Sequence, residues 1–127
     1  MRIKNNQLDT GVHWILIVVF MKLKKIRAYD SLHCPRMSYL RATRLYLRDE
    51  AHYLGRKDVD PMNFDLIDVD CASDPKQNNG NDCGVCALTT ASLVVYQRPV
   101  AFQPAEIQNA RDQLQLAFLD FALHLQH

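Results

Sequence analysis

Cys83 follows Asp82 at the expected first turn of a helix, with Gly84 beside it. Unpaired amides at a helix start favour a thiolate, the form of cysteine that attacks a carbonyl carbon. Gly84 leaves room for a substrate backbone to come close, and Val85, Ala87 and Leu88 continue a packing face that holds the cysteine in place. A thiolate nucleophile needs an imidazole, and the imidazole needs an orienting group. Among the five histidines, His33 adjoins a loop, His52 lies on an amphipathic segment, and His124 and His127 are at the C-terminal end. His13 opens an apolar strand, and Asp30 closes the next one. If the two strands pair as a hairpin, the start of one lies beside the end of the other, and His13 meets Asp30. Gln77 precedes Cys83 within a polar loop. Its amide can reach the oxygen of a tetrahedral intermediate together with the Cys83 backbone amide; taken singly it reads as a solvated loop residue. His13 alone also reads as a bonded strand-start histidine, and Cys83 alone as a buried helix cysteine. The set, in its spacing, points to thiol acyl transfer.

These residues must be positioned by a small number of elements. Trp14 to Phe20 is β-branched, aromatic and nearly continuous, as expected of a strand covered on both faces. Lys24 to Tyr29 follows as a second strand, antiparallel to the first across a turn near Lys22. After Pro35, Tyr39, Tyr46 and Tyr53 recur beside Leu40, Leu47 and Leu54, with Arg41, Arg44 and Arg48 on another face. That pattern predicts an amphipathic helix ended by Gly55. Asp65 to Asp70 reads as a third strand, and Cys71 to Asp82 as loop. Asn81 or Asp82 caps a helix from Cys83 to about Tyr96. A last helix is predicted over Glu106 to Leu125, with Leu114, Phe118, Phe121 and Leu125 at helical spacing. The order β-β-α-β-α-α makes an α+β domain on a small sheet, expected to be mostly antiparallel and packed with helices.

The 127 residues suffice for one hydrophobic core, and 48% hydrophobic residues argue against a disordered chain. A net charge of +1 gives no general case for nucleic acid or a membrane surface. Charge is segregated, however: ten of fifteen Lys and Arg lie between Lys22 and Lys57, and six Asp follow from Asp58 to Pro75. The two stretches either orient a charged partner or face each other. The apolar run from Trp14 to Met21 is too short to span a bilayer, which takes about 20 residues, and leads into lysines rather than a cleavage site. Cys34, Cys71, Cys83 and Cys86 show no disulfide framework and fit free thiols in a reducing compartment. Cys83 and Cys86 form a C-x-x-C, but after a long Asn-rich loop rather than after the first strand of a parallel βαβ unit, which disfavours a thiol-redox protein. Cys71 is too irregularly placed to complete a zinc site.

His13-Trp14, Tyr29-Asp30-Ser31-Leu32 and Gln77 through Asp82-Cys83-Gly84-Val85 resemble the signature of the Ulp/SENP-type cysteine proteases. The resemblance implies a papain-like, Ulp-type α+β architecture, with residues 1–127 a single, partial domain. It implies His13 as general base, Asp30 as orienting carboxylate, Cys83 as nucleophile and Gln77 as oxyanion donor. Trp14 would line a narrow tunnel for the Gly-Gly tail of a SUMO-like or other ubiquitin-like protein, free or in conjugates, next to Gly84. No cofactor, metal, nucleic acid or membrane partner is expected, and the location expected is intracellular, nucleus or cytoplasm. Two departures stand out. Only twelve residues precede His13, where the family carries a longer stretch, so the chain is expected to be N-terminally truncated. Cys86 also occupies a place commonly aromatic or aliphatic. A catalytically silent module that binds a ubiquitin-like protein shares all of these fold arguments.

Overall fold

The computed structural model describes residues 13–78 and 82–125. The turn expected at Gly11, Asn81 as a cap, and His127 lie outside the described residues. Strand β1 spans Leu16–Phe20 and β2 spans Lys25–Tyr29. They pair antiparallel, with Leu16 opposite Tyr29 and Phe20 opposite Lys25. Lys24 takes a positive φ of 54° in the turn between them, and its amide donates to the Met21 carbonyl.

Helix α1 spans Met37–Tyr53, and its end is followed by Gly55 at φ 67°, a left-handed conformation that glycine adopts without steric cost. Strand β3, Asp65–Ile67, then pairs with β2. The three-stranded sheet has the order β1-β2-β3, and β3 runs parallel to β2. The sheet is therefore mixed within the expected α+β fold. A helix between two neighbouring strands returns the chain to the same end of the sheet, so the second strand runs alongside the first.

The core lies between this sheet and α1. Ile26 and Ala28 alternate along β2 onto one face and meet Leu40 of α1 and Phe64, just before β3. Ile17, Val19, Leu47 and Leu66 pack around them. All five residues of β1 are only partly buried, so the strand is not covered on both faces as its composition suggested. In α1 it is Leu40, fully buried, and Leu47, packed against the core, that turn inward, while Tyr39, Tyr46 and Tyr53 are exposed.

The charged stretches partly face each other. Arg27 of β2 pairs with Asp74, and the Arg36 backbone amide donates to the Asp68 carboxylate at 2.8 Å.

Helix α2 spans Cys83–Val95 and buries Cys83, Cys86 and Thr90, a stripe at helical spacing. Asp82 occupies its N-cap position but gives no side-chain cap bond; its carboxylate pairs instead with Arg111 of helix α3, Pro104–Leu125. A guanidinium offers a stronger, charge-assisted partner than a backbone amide. Helix α3 begins at a proline, whose fixed φ suits a first helical position. It is packed only along its first half, where Ile107 is buried and Leu114 half-buried. Every residue from 115 to 125 is exposed, Phe118 and Phe121 included, so the apolar spacing expected to seat the whole helix seats only its beginning. No described helix is long and apolar enough to cross a membrane.

Candidate active site

The hairpin brings the first pair together. Continuing the register one step past Leu16–Tyr29 sets Asp30 opposite Ile15, two residues from His13 and on the same side of the strand. His13 Nε2 lies 2.7 Å from Asp30 Oδ1. The Asp30 side chain is wholly buried and that of His13 nearly so. Burial by itself would raise the Asp30 pKa. Bonds from His13, the Leu32 amide (2.9 Å) and Arg36 outweigh it and hold the carboxyl below its usual range. An ionised Asp30 accepts, so His13 Nε2 carries the proton, and Nδ1 is the basic nitrogen of the neutral ring.

The residue after His13 reaches the cysteine. The Trp14 amide approaches Cys83 Sγ at 3.5 Å, across sixty-nine residues of sequence. The segment leading into β1 and the start of α2 at Cys83 therefore meet. Trp14, Asp30, Ser31 and Cys83 line one cleft, with Cys86 and Thr90 at its wall. Trp14 itself is 66% exposed, which decides against a core role for the ring. A Cβ placed on Gly84 would stand 3.6 Å from Trp14 Cδ1, an ordinary contact. The glycine leaves a methyl-sized space beside the indole.

Gln77 is buried rather than solvated. Its backbone N–H donates to the Ser31 carbonyl at 2.9 Å, and the Ser31 hydroxyl donates to the side-chain oxygen Gln77 Oε1. It lines a second cavity with Asp82, Cys86, Phe102 and Ile107. Since Ser31 takes the oxygen end of the amide, the NH₂ end is directed away from Ser31. Asp30 and Ser31, adjacent at the end of β2, thus hold His13 and Gln77 respectively.

Sequence reasoning assigned no role to Ser31, although it stands in the quoted motif, and passed over Arg36 altogether. Arg36 gives Nε and a terminal nitrogen to Asp30 Oδ2, at 2.7 and 2.6 Å. An arginine six positions beyond the acid, ahead of a helix, carries no recognisable signal in sequence.

Among the described residues, the other histidines and cysteines, Cys86 excepted, lie apart from this cluster. His33 Nε2 sits against the Asp74 and Pro75 carbonyls, and His52 and His124 are exposed. Cys34 and Cys71 are free and exposed. Burial raises the Cys86 pKa, beyond what its bond with Ser31 offsets, so Cys86 remains a packed thiol. No group of three metal-ligating side chains occurs among the described residues.

The chain is similar to known proteins. The family model for the Ulp1 protease family, C-terminal catalytic domain, matches residues 6–121. A sentrin-specific protease of Caenorhabditis elegans is 43% identical over 76 residues, 59% of this chain and 10% of that protein. The ubiquitin-like-specific protease ESD4 of Arabidopsis thaliana is 36% identical over 78 residues, 61% of this chain and 16% of that protein. Among solved structures, the C-terminal Ulp1 protease domain in complex with Smt3, the yeast ortholog of SUMO, superposes with a TM-score of 0.65 at 31% identity, over 78% of this chain and 43% of that one. The SUMO protease Ulp1 with its catalytic cysteine oxidised to a sulfenic acid gives 0.71 at 29% identity, over 87% and 49%. The chain thus spans less than half the length of each of these relatives, and within that span it belongs to the Ulp1 protease family.

Proposed function

We propose that residues 1–127 form a single, partial catalytic domain of a cysteine-type peptidase. It cleaves after the C-terminal Gly-Gly of a SUMO-like or other ubiquitin-like protein, in maturation or deconjugation. One observation carries the reading: the His13-Trp14 segment is held between Asp30, at 2.7 Å from His13 Nε2, and Cys83 Sγ, at 3.5 Å from the Trp14 amide. Likeness to a Ulp1 domain solved with Smt3 supports the choice of substrate class.

The chemistry follows from the roles. The Cys83 thiolate adds to the carbonyl carbon of the last glycine, and the carbonyl oxygen takes the negative charge. The Cys83 backbone amide and the Gln77 NH₂ group donate to that oxygen, with Ser31 keeping the amide turned the right way. Protonated His13 gives the Nδ1 proton to the departing amine, and a thioester remains on Cys83. A water then yields its proton to His13 Nδ1 as it attacks the thioester, and Cys83 leaves as the thiolate. Asp30 holds the ring in one tautomer and stabilises its charged form throughout. The exposed indole of Trp14 and the space at Gly84 accept an extended, side-chain-free tail.

Cys83→Ser is nearly isosteric and should leave the thermal unfolding curve in place. It should abolish release of aminocoumarin from a SUMO C-terminal aminocoumarin derivative. Retention of most of the activity by this variant would remove Cys83 as the nucleophile.

A further inference from the structure

Arg36 stands at the N-cap of α1 with its backbone fixed on both sides. Its amide donates to Asp68 at 2.8 Å, and its carbonyl accepts the Leu40 amide at 3.0 Å. From that anchored position the guanidinium reaches back to Asp30 Oδ2 with two nitrogens, at 2.7 and 2.6 Å, and lies 5.4 Å from the centre of the Tyr39 ring. The two oxygens of Asp30 are thereby divided: Oδ2 takes Arg36, and Oδ1 takes His13 and the Leu32 amide. A buried carboxylate bound only on Oδ1 can rotate about its terminal torsion, which is broad for this residue type. A guanidinium anchored on Oδ2 removes that freedom and keeps the charge paired in a place where an isolated ion is costly.

We propose that Arg36 is a positioning residue of the acyl-transfer site, holding the Asp30 carboxylate ionised and turned so that Oδ1 faces His13. This deepens the reading above and rests on it for the role of His13. The groups facing Asp30 are few. His13 comes from the segment just before β1 and Arg36 from the N-cap of α1. Across the cleft stand Cys83 and Cys86 of α2, Tyr29 of β2, and Asp74, already paired with Arg27. Removing Arg36 takes away a cation bonded to Oδ2, so Asp30 keeps its proton to higher pH. His13 then loses its acceptor, and thiolate formation at Cys83 falls at mildly acidic pH.

Alkylation of Cys83 by iodoacetamide, resolved from the other three cysteines by peptide mass spectrometry, reads this without any substrate. In the 127-residue chain, Arg36→Ala should slow Cys83 alkylation by about tenfold near pH 5–6, the size expected for one hydrogen bond to a charged group. The acid limb of the profile should move up in pH. Arg36→Lys, which keeps the charge but not the fork, should recover part of the rate and guards against a misfolded alanine variant. In an Asp30→Asn background, Arg36→Ala should change nothing further, because its effect passes through Asp30. An unchanged pH profile in a folded Arg36 variant overturns the proposal. So does an Arg36 effect that adds in full to that of Asp30→Asn. Hydrolysis of the SUMO derivative by the unsubstituted chain tests the functional reading separately: with no hydrolysis but the alkylation pattern intact, the substrate assignment fails and the role of Arg36 stands.

Discussion

Around Asp30, groups with fixed directions meet a closed core. Its carboxylate is bound on both oxygens, and β2 behind it carries the fully buried Ile26 and Ala28. The second half of α3 is the opposite case, a regular helix whose residues from 115 to 125 are all exposed. Both regions were expected to be ordered by apolar pattern. Pattern forms an element, whereas partners across space decide whether its apolar face is used. The cleft end has such partners in strand pairing, the Arg36 fork and the Ser31–Gln77 bonds.

Asp30→Asn should lower kcat on a SUMO-aminocoumarin substrate by a factor on the order of 10²–10⁴, the range for an orienting carboxylate. A variant within a factor of two of the unsubstituted rate would take Asp30 out of the site. Leu40→Ala, in the core behind the cleft, should cost about 2–5 kcal/mol in urea unfolding. Gln77→Ala should lower kcat by up to about 10²–10³, as for one oxyanion donor; full activity would leave Gln77 with only a structural bond to Ser31.

Acid sharpens the same contrast. The Asp30 pKa is depressed in the folded chain. Its stabilising contribution is therefore present above its usual value of 3.8 and is lost as pH falls below that toward the folded value. The urea midpoint should drop over this window, and less steeply in Asp30→Asn. At the other end of the molecule, Phe121→Ser should change stability by no more than about 0.5 kcal/mol, as for an exposed position. A loss as large as that of Leu40→Ala would show that the outer half of α3 is packed after all.

Much of the site was legible because local signals coincided with pairing. The apolar run from Trp14 to Phe20 and the stop at Asp30 predict a hairpin, and a hairpin alone puts His13 beside Asp30. The start of α2 was readable from the polar loop before Cys83. The direction of β3 was not, because strand polarity is set by contacts with β2 and by the α1 crossover rather than by residues 65–67. The burial of Gln77 escaped for a similar reason: a polar residue in a polar loop gives no sign that Ser31, forty-six positions earlier, will hold it. Asp82 misled as a cap because a better partner, Arg111, arrives from another helix. Trp14, whose side chain could equally have been core, is seen to be exposed only once the helix carrying Gly84 is in place beside it.

The most direct measurement is incubation of the 127-residue chain with a SUMO protein bearing a C-terminal electrophile, followed by mapping of the adduct. A single covalent adduct on Cys83 is expected, absent from Cys83→Ser and slowed in Asp30→Asn. Binding without an adduct would identify a silent module, and an adduct on Cys34, Cys71 or Cys86 in place of Cys83 would contradict the assignment of the nucleophile.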